Sequence, residues 1–305
     1  MSTNISFREA TPEDTSAIFG LFLFSVRDLA YRQGTRAVND GRDPEVIAAV
    51  WKQRQSMFEH LARTAHHYWV AERDETLLGY ARSIRRDDML ELTEFFVSPD
   101  AQSSGIGREL LRLAFADERA RLRTVIALTD MRAQSLYLKA GVYPLFPIGH
   151  FSRPAQQTLI DSDLRFEPMD NSPATLLILG ELDATVLGYR RDVDHQWFFG
   201  NREGFLAYRG GVAVGYGYVS RGFGSGPFAL LEPADYPAVL AHAETMAARS
   251  GQTEFILQAP LINRSAVQYM LGRGYRLDPS FMFFMSDGGA DLMDRYLITG
   301  PPYFM

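Results

Sequence analysis

A six-position pattern occurs twice in this chain with one constant offset. The first copy consists of Asp130, Ala133, Leu136, Tyr137, Gly141 and Val142, and the second of Asn263, Ala266, Tyr269, Met270, Gly274 and Tyr275. Every position is displaced by the same 133 residues, as from Asp130 to Asn263. An offset of this size is the length of an ordinary domain, so the repeat predicts two copies of one domain-sized unit.

Length and turn signals place the boundary between the copies. The chain has 305 residues, more than the about 100 to 200 residues of a typical domain. Pro144, Pro147 and Pro154 predict either an irregular stretch over 143–160 or a strand interrupted at a sheet edge, and polar residues cluster over 156–163. We therefore expect one domain over residues 1–160 and a second over 161–305.

Residue periodicity predicts the order of elements within each copy. Alternating residues indicate strands, a 3.6-residue period indicates helices, and polar turns separate them. In the first copy we expect a strand over 5–9, a helix from 12 towards 29, strands over 68–72, 77–84 and 89–97, a helix after 99, a strand over 124–129 and a helix over 133–140. The same order restarts at 164. This succession predicts an α/β fold of the α+β type with a mixed sheet.

Composition excludes several classes of function. Without cysteine the chain has no disulfide, no thiolate zinc ligand and no cysteine nucleophile. A net charge of −6 gives no general attraction to nucleic acid, and no metal-ligand spacing such as His-Glu-x-x-His occurs. No stretch approaches the roughly 20 apolar residues of a membrane span, and residues 1–10 lack an export signal. We expect a cytoplasmic protein with no metal and no membrane or nucleic-acid partner.

The segment over 95–110 joins a predicted strand to a predicted helix through a loop with two glycines, Gly105 and Gly107. Amides at the start of a helix have no partner within the helix and carry the positive end of its dipole, so they attract an anion. The same pattern also occurs at helix starts that bind nothing. The segment therefore needs support from other features before it predicts a phosphate site.

This segment resembles the acyl-CoA signature of the GCN5-related N-acetyltransferase (GNAT) family. The resemblance lies in Gln102, Gly105 and Gly107, which follow the pair Val97 and Pro99 at the end of a strand. The three elements occur in the family's order and spacing.

The repeated pattern that begins at Asp130 resembles the family's second signature. Two positions depart from it, Asp130 in place of Asn and Val142 in place of Phe. Asp130 removes an amide donor that could contact the cofactor, which puts the strength of binding in doubt. The resemblance implies two tandem GNAT-like domains, each with a mostly antiparallel central sheet flanked by helices.

The resemblance also implies acetyl-CoA as co-substrate and no metal. Main-chain amides over 103–108 would hold the pyrophosphate of CoA, and main-chain groups of the preceding strand would pair with its pantetheine arm. The residues assigned to the cofactor in this way are Phe96, Val97, Gln102, Ser103, Ser104, Gly105, Ile106, Gly107, Arg108, Asp130, Ala133 and Tyr137.

Direct transfer from a thioester to an amine needs a base for the amine proton and benefits from an acid that protonates the leaving thiolate. The resemblance assigns the acid to Tyr137. For the base we consider Glu94 first and Glu91 second, because the family often places a carboxylate on this strand. Their odd separation puts them on opposite faces of a regular strand, so only one should face the acceptor unless a bulge intervenes.

The second copy has lost the features of the cofactor site. Its counterpart of the glycine loop, over 231–240, has no glycine pair, and Pro237 removes an amide donor. Met270 stands where Tyr137 stands in the first copy. We expect that this copy does not bind CoA in the usual way, and that it packs on the first copy, completes an acceptor cleft or mediates homodimerisation.

The leading hypothesis is an acetyl-CoA-dependent N-acetyltransferase that transfers an acetyl group to a primary amine of a small molecule or peptide through a ternary complex. The alternative is a non-catalytic acyl-CoA-binding sensor or scaffold. A Rossmann-type dinucleotide site is disfavoured, because it needs a parallel βαβ unit. By resemblance, the loop over 34–41 would help to shape the acceptor site, where Arg32, Arg36, Asp40 and Arg42 could read charge, although a solvated loop fits as well.

Overall fold

The computed structural model of the chain divides into two units, Met1–Tyr143 and Pro144–Met305. It describes residues 5–34, 44–102, 104–117, 119–222, 224–289 and 293–300. Three residues of the expected acceptor loop, Arg36, Asp40 and Arg42, lie outside the described residues. The division falls before the expected boundary near 160.

Helices and strands alternate in the first unit much as periodicity predicts. They are β1 (Ser6–Glu9), α1 (Thr15–Gln33), α2 (Pro44–Arg63), β2 (Ala65–Arg73), β3 (Thr76–Arg86), β4 (Met89–Val97), α3 (Ile106–Ala114), β5 (Leu122–Ala127) and α4 (Met131–Lys139). Strands β1 to β4 pair antiparallel in sequence order, and β4 pairs with β5 in parallel. This mixed, mostly antiparallel arrangement with flanking helices confirms the predicted fold class.

Neighbouring residues of β3 face different helices. The guanidinium of Arg82 donates to the main-chain oxygen of Phe58 in α2 at 3.1 Å. The Oγ of Ser83 donates to the main-chain oxygen of Ala114 in α3 at 2.8 Å. Because side chains alternate along a strand, even-numbered positions over 80–84 face α2 and odd-numbered positions face α3. We call these two sides the α2 face and the α3 face of the first unit's sheet.

Between β1 and β2 the sequence predicts one helix, whereas the structure has two, α1 and α2. The buried residues of α2 are confined to its second half and are Arg54, Met57, Phe58, His60 and Leu61. The first half is exposed, so the helical period of apolar residues is too short to recognise in the sequence.

The second unit repeats the alternation with added strands. Its elements are β6 (Tyr143–Pro154), β7 (Arg165–Pro168), α5 (Pro173–Val186), α6 (Asp192–Asn201), β8 (Arg202–Arg209), β9 (Val212–Ser220), β10 (Phe228–Leu230), α7 (Tyr236–Arg249), β11 (Glu254–Pro260), α8 (Arg264–Gly272), β12 (Arg276–Ser286) and β13 (Tyr296–Leu297). One of its sheets has the order β13-β10-β9-β8-β7, and β6 lies between β12 and β11 in the other.

Strand β6 explains the early division of the chain. It pairs antiparallel with β11, from Ile148 opposite Pro260 to Pro154 opposite Glu254. Pro144 and Pro147 precede the paired residues and Pro154 ends them, so no missing N–H falls inside the ladder. Two of the prolines that favour an irregular segment in the sequence therefore lie within a strand, before the part that pairs with β11.

The same left-handed turn joins two strands in each unit. Between β2 and β3, Asp74 and Glu75 have φ of 48° and 61°, and between β8 and β9, Gly210 and Gly211 have φ of 58° and 85°. Two consecutive left-handed residues match the twist of a tight hairpin. Counting from these turns, Tyr80 of β3 corresponds to Tyr216 of β9.

A buried polar network ties α5 to α6 and β9. The Asp183 carboxylate accepts from Arg191 Nε at 2.8 Å and from the Tyr216 hydroxyl at 2.5 Å, and it lies 2.8 Å from His195 Nε2. The side chains of Asp183, Arg191 and His195 are fully buried. Burial alone would raise the pKa of Asp183, but the charges of Arg191 and His195 outweigh it and lower that pKa to about 2.

We predict that Asp183→Asn lowers the free energy of unfolding by about 3–5 kcal/mol at neutral pH, because it leaves Arg191 buried without its counter-charge. The stability from this carboxylate is present above its ordinary pKa of 3.8 and is lost as pH falls towards 2. As pH falls from 3.8 to 2, the free energy of unfolding of the wild type should decrease by about 2 kcal/mol more than that of the variant. Urea unfolding as a function of pH measures both effects.

Asp163→Asn is the matched control, because Asp163 pairs with Arg209 at 2.6 Å on the surface. It should change stability far less than Asp183→Asn. Equal effects of the two substitutions would contradict the assignment of stability to the buried network.

Candidate active site

Strands β4 and β5 pair over only part of their length. The parallel register runs from Met89 opposite Leu122 to Leu92 opposite Val125 and then stops. Beyond it β4 continues to Val97, and within the described residues no strand pairs with 93–97 on the side of β5. The two strands therefore part, and main-chain groups on that edge of β4 can bind an extended ligand.

A β-bulge marks the point at which the strands part. On β4, Leu92 lies opposite Ser83 and Glu94 lies opposite Arg82, so Thr93 is an extra residue without an opposite partner. An extra residue shifts the alternation of side chains by one. Glu91, opposite Ile84, and Glu94 consequently lie on the same α2 face. The sequence predicts opposite faces for these two residues unless a bulge intervenes. The bulge is present, and both carboxylates face the same side of the sheet.

Glu94 is held in a buried ion pair. Its Oε2 accepts from Nη2 of Arg82, and its Oε1 accepts from the Tyr80 hydroxyl at 3.3 Å. The side chains of Glu94 and Arg82 are fully buried, and the guanidinium lies over the rings of Tyr68 and Phe58 at 4.9 and 5.5 Å. Glu91 is also buried, at 1% exposure. The α2 face of β4 therefore carries two inward-facing carboxylates, one of them paired with a cation.

The sequence reading missed Arg82, although a signal exists. A charged residue in the middle of an apolar strand, next to Ala81, predicts either a buried pair or a site. Its partner could not be named, because the bulge that brings Glu94 opposite Arg82 has no signature in the sequence.

Helix α3 begins without a side-chain cap. Gly105 precedes its first residue with φ of 87°, and no side chain of the described residues caps the helix. The loop before it is braced by Gln102 Nε2, which donates to the Val97 oxygen at 3.4 Å, and by Ser104 Oγ, which donates to the Ala101 oxygen at 2.6 Å. The amides of the first turn are thus available to an anion.

The other residues predicted at this helix start differ in position. Ile106 is buried and Arg108 is exposed, whereas Ser103 lies outside the described residues. At Gly105, an added Cβ would meet only the end of Arg108, at 3.8 Å. The space over Gly105 is open to a ligand.

Gly107 has a different role from the one that its motif suggests. A Cβ there would lie 3.2 Å from Leu136 of α4 and from the ring of Phe95, and 3.6 Å from Val97. Gly107 therefore lets α3 pack closely against α4 and the end of β4.

Helix α4 places the second group of predicted residues. Asp130 caps it by accepting from the Arg132 amide at 2.9 Å, and Ala133 is half-buried in its first turn. Tyr137 is buried, and its ring centroid lies 5.9 Å from that of Phe95. Burial raises the pKa of Tyr137 well above its usual range, and the charge of Asp130 adds to the rise. Its hydroxyl is therefore protonated at neutral pH.

The predicted residues approach β4 from opposite sides. Phe95 lies opposite Ala81 and thus on the α3 face, where it contacts Tyr137. Phe96, on the α2 face, packs against Tyr80 with ring centroids 5.7 Å apart. Tyr137 therefore stands on one side of the sheet and Glu91 and Glu94 on the other, with the parting of β4 from β5 between them.

The counterpart of α3 in the second unit begins differently. Strand β10 spans only Phe228–Leu230, and Pro237 lies in the first turn of α7. Tyr236 is fully buried at the helix start, and the carboxylate of Asp235 is paired with Arg209 at 2.7 Å. This helix start presents a buried ring and a carboxylate where the first unit presents open glycine amides.

The described residues contain neither a group of metal ligands nor a membrane-spanning helix. No group of three or more histidine, aspartate or glutamate residues among them is placed to hold a metal ion. In the same part of the chain, every helix is too short or too polar to cross a membrane.

The fold and this arrangement can be compared with known proteins. Residues 26–142 match the family model described as the acetyltransferase (GNAT) family. The match lies within the first unit, which therefore resembles this family. Among curated proteins, none matches the chain in sequence.

Solved structures resemble the chain over both units. A putative acetyltransferase from Pyrococcus horikoshii matches with a TM-score of 0.71 and 17% identity, over 97% of this chain and 94% of that chain. A GCN5-related N-acetyltransferase from Sphaerobacter thermophilus matches with a TM-score of 0.58 and 16% identity, over 92% of this chain and 95% of that chain. A tandem GNAT protein from the clavulanic acid biosynthesis pathway matches with a TM-score of 0.58 and 15% identity, over 94% of this chain and 99% of that chain. Such identities show a shared fold.

We predict that Glu94→Gln lowers the free energy of unfolding by about 3–5 kcal/mol, because it removes the carboxylate that is paired with the buried Arg82 guanidinium. Thermal and urea unfolding measure the change. Glu109→Gln is the control, because Glu109 pairs with Arg112 at 2.6 Å on the surface of α3 and should matter little. A fully stable Glu94→Gln protein would contradict a structural role for this pair.

Proposed function

We propose that the chain is an acetyl-CoA-dependent N-acetyltransferase whose first unit transfers the acetyl group directly to a primary amine. The observation that carries the proposal is the parting of β4 from β5 after Leu92 and Val125, beside the uncapped start of α3. An extended arm fits against the free strand edge, and a phosphate fits at the helix start. A small molecule or peptide supplies the amine in a ternary complex.

The residues at this place fit the cofactor. Main-chain groups at the end of β4, including those of Phe96 and Val97, would hold its pantetheine arm, and the first-turn amides of α3 would hold its pyrophosphate. Gly105 keeps that helix start open, since nothing but the end of Arg108 lies near its missing side chain. When bound, acetyl-CoA supplies the activated acetyl group.

Tyr137 is proposed to act as the general acid. Its elevated pKa keeps a proton on the phenolic oxygen at neutral pH, as donation to a leaving thiolate requires. Its ring lies against Phe95 beside the edge of β4 that β5 leaves free. The hydroxyl can therefore act on a group that lies in this gap.

The carboxylates of the α2 face are proposed to take the amine proton, directly or through water. Protonation of Glu94 would weaken its buried pair with Arg82, which disfavours it as a base. Glu91 lies on the same face, opposite Ile84, and is buried as well. We therefore propose that one of these two carboxylates is the base, and that Glu94 also fixes this face through its pair with Arg82.

The second unit is proposed not to bind CoA. Pro237, the buried ring of Tyr236 and the short strand β10 support this view, as does Met270 in place of an acidic hydroxyl. A role in shaping the acceptor site or in dimerisation stays a proposal.

We predict that Gly105→Val abolishes or weakens acetyl-CoA binding at least 10-fold, because its side chain enters the open space at the helix start and φ of 87° strains it. Isothermal titration calorimetry gives affinity and stoichiometry, and we expect one site per chain. Gly274→Val is the matched control, with φ of 79° and equally open surroundings in the second unit. Two sites per chain, or a loss in the control only, would refute the assignment.

We predict that Tyr137→Phe lowers kcat about 100-fold while the Kd for acetyl-CoA stays the same, because only proton donation is lost. Thiol release measures turnover, and the protein adds no background because it has no cysteine. Tyr236→Phe, a buried tyrosine of the second unit, is the control. Cofactor binding without turnover in the wild type, for every amine tried, would instead favour the sensor or scaffold.

A further inference from the structure

The cap of α4 carries a charge that capping itself does not require. Asp130 accepts from the Arg132 amide at 2.9 Å, and its repeat counterpart, Asn263, accepts from the Ala266 amide at 3.0 Å. A neutral amide oxygen thus caps the equivalent helix in the second unit. The negative charge of Asp130 needs another explanation.

That charge lies at the edge where the cofactor would bind. Asp130 follows β5 and precedes α4, so it stands at the carboxyl end of the strand that parts from β4. Gly105 and the start of α3 follow the carboxyl end of the neighbouring parallel strand. Carboxyl ends of parallel strands share one edge of a sheet, so Asp130 and the proposed phosphate site lie on the same edge. A bare carboxylate there would repel an anionic ligand.

Arg32, near the end of α1, neutralises this carboxylate. Its Nη2 lies 3.2 Å from Asp130 Oδ2, and its Nε is held by Asp28 at 2.8 Å. The adjacent Gln33 donates to the oxygen and to the hydroxyl of Thr129 at 3.0 and 2.9 Å. The end of α1 is therefore fixed against the loop between β5 and α4 by contacts from two consecutive residues.

The second unit lacks both members of the pair. Helix α1 is ended by Gly34 and α5 is followed by Gly188, both left-handed. Two residues before these glycines stand Arg32 in the first unit and a buried valine, Val186, in the second. The unit with the open glycine start thus has a cation beside the cap, and the unit without it has neither charge.

We infer that Arg32 is a positioning residue for the cofactor edge, which cancels the charge of Asp130 and so allows a phosphate-bearing cofactor to lie beside the cap of α4. The inference rests on the proposed function. Arg32 acts through Asp130 and does not itself bind phosphate, because its guanidinium is already engaged by two carboxylates.

The test is a double-mutant cycle on the full-length protein, with acetyl-CoA titrated by calorimetry into the wild type, Arg32→Gln, Asp130→Asn and the double variant. Arg32→Gln should weaken binding about 5-fold, the size expected for one partly exposed unscreened charge. Asp130→Asn should bind at least as tightly as the wild type. In the Asp130→Asn background, Arg32→Gln should have no effect.

Two further readouts separate a charge effect from a structural one. The decrease in acetyl-CoA affinity caused by Arg32→Gln should become smaller as the salt concentration rises from about 0.05 to 0.5 M, because salt screens exposed charges. Arg112→Gln, which removes a surface guanidinium of α3 that is paired with Glu109, is the charge-matched control and should bind like the wild type. Circular dichroism confirms that each variant is folded.

The outcomes distinguish the inference from the proposed function. If Arg32→Gln weakened acetyl-CoA binding equally in the wild-type and Asp130→Asn backgrounds, Arg32 would contact the cofactor directly. If it weakened binding in neither background, Arg32 would have no role in binding. Either result would overturn the inference. In each case the wild type still binds acetyl-CoA, and the proposed function stands. A wild type that does not bind would overturn both.

Discussion

The main-chain pairing between β4 and β5 ends after Leu92 and Val125, and the rest of the site depends on that limit. The bulge at Thr93 coincides with it and places Glu91 and Glu94 on one face of the sheet. Past the bulge, the strand edge has no partner from β5, and α3 and α4 begin at the ends of the parted strands. One irregular residue thus sets both the gap and the direction in which the carboxylates point.

Both units place a carboxylate beneath the helices that follow their first strand. Tyr80 donates to Glu94, which pairs with Arg82, and Tyr216 donates to Asp183, which pairs with Arg191. The tyrosines occupy equivalent positions of β3 and β9, whereas the carboxylates come from a strand in one unit and from a helix in the other. Burying such pairs costs desolvation that only complete partnering offsets, so each is a point of fixed geometry.

The two units differ at single residues of corresponding elements. Gly105 is open and Gly107 is packed, so the two glycines of one motif differ in their surroundings. In the second unit, the equivalent helix start has Asp235 and Pro237 in their place. The pair of Arg32 and Asp130 has no charged counterpart there.

Short-range patterns determined most of the fold from the sequence alone. The three strands before α3, the glycine helix start, the capped start of α4 and the tandem repeat were predictable because propensity, spacing and caps act over a few residues. The site residues of β4, α3 and α4 were named on the same basis and by resemblance. Tertiary structure alone decided the bulge at Thr93, the pairing of Arg82 with Glu94, the contact of Arg32 with Asp130 and the conversion of a proline-rich segment into β6, since each depends on partners distant in the chain.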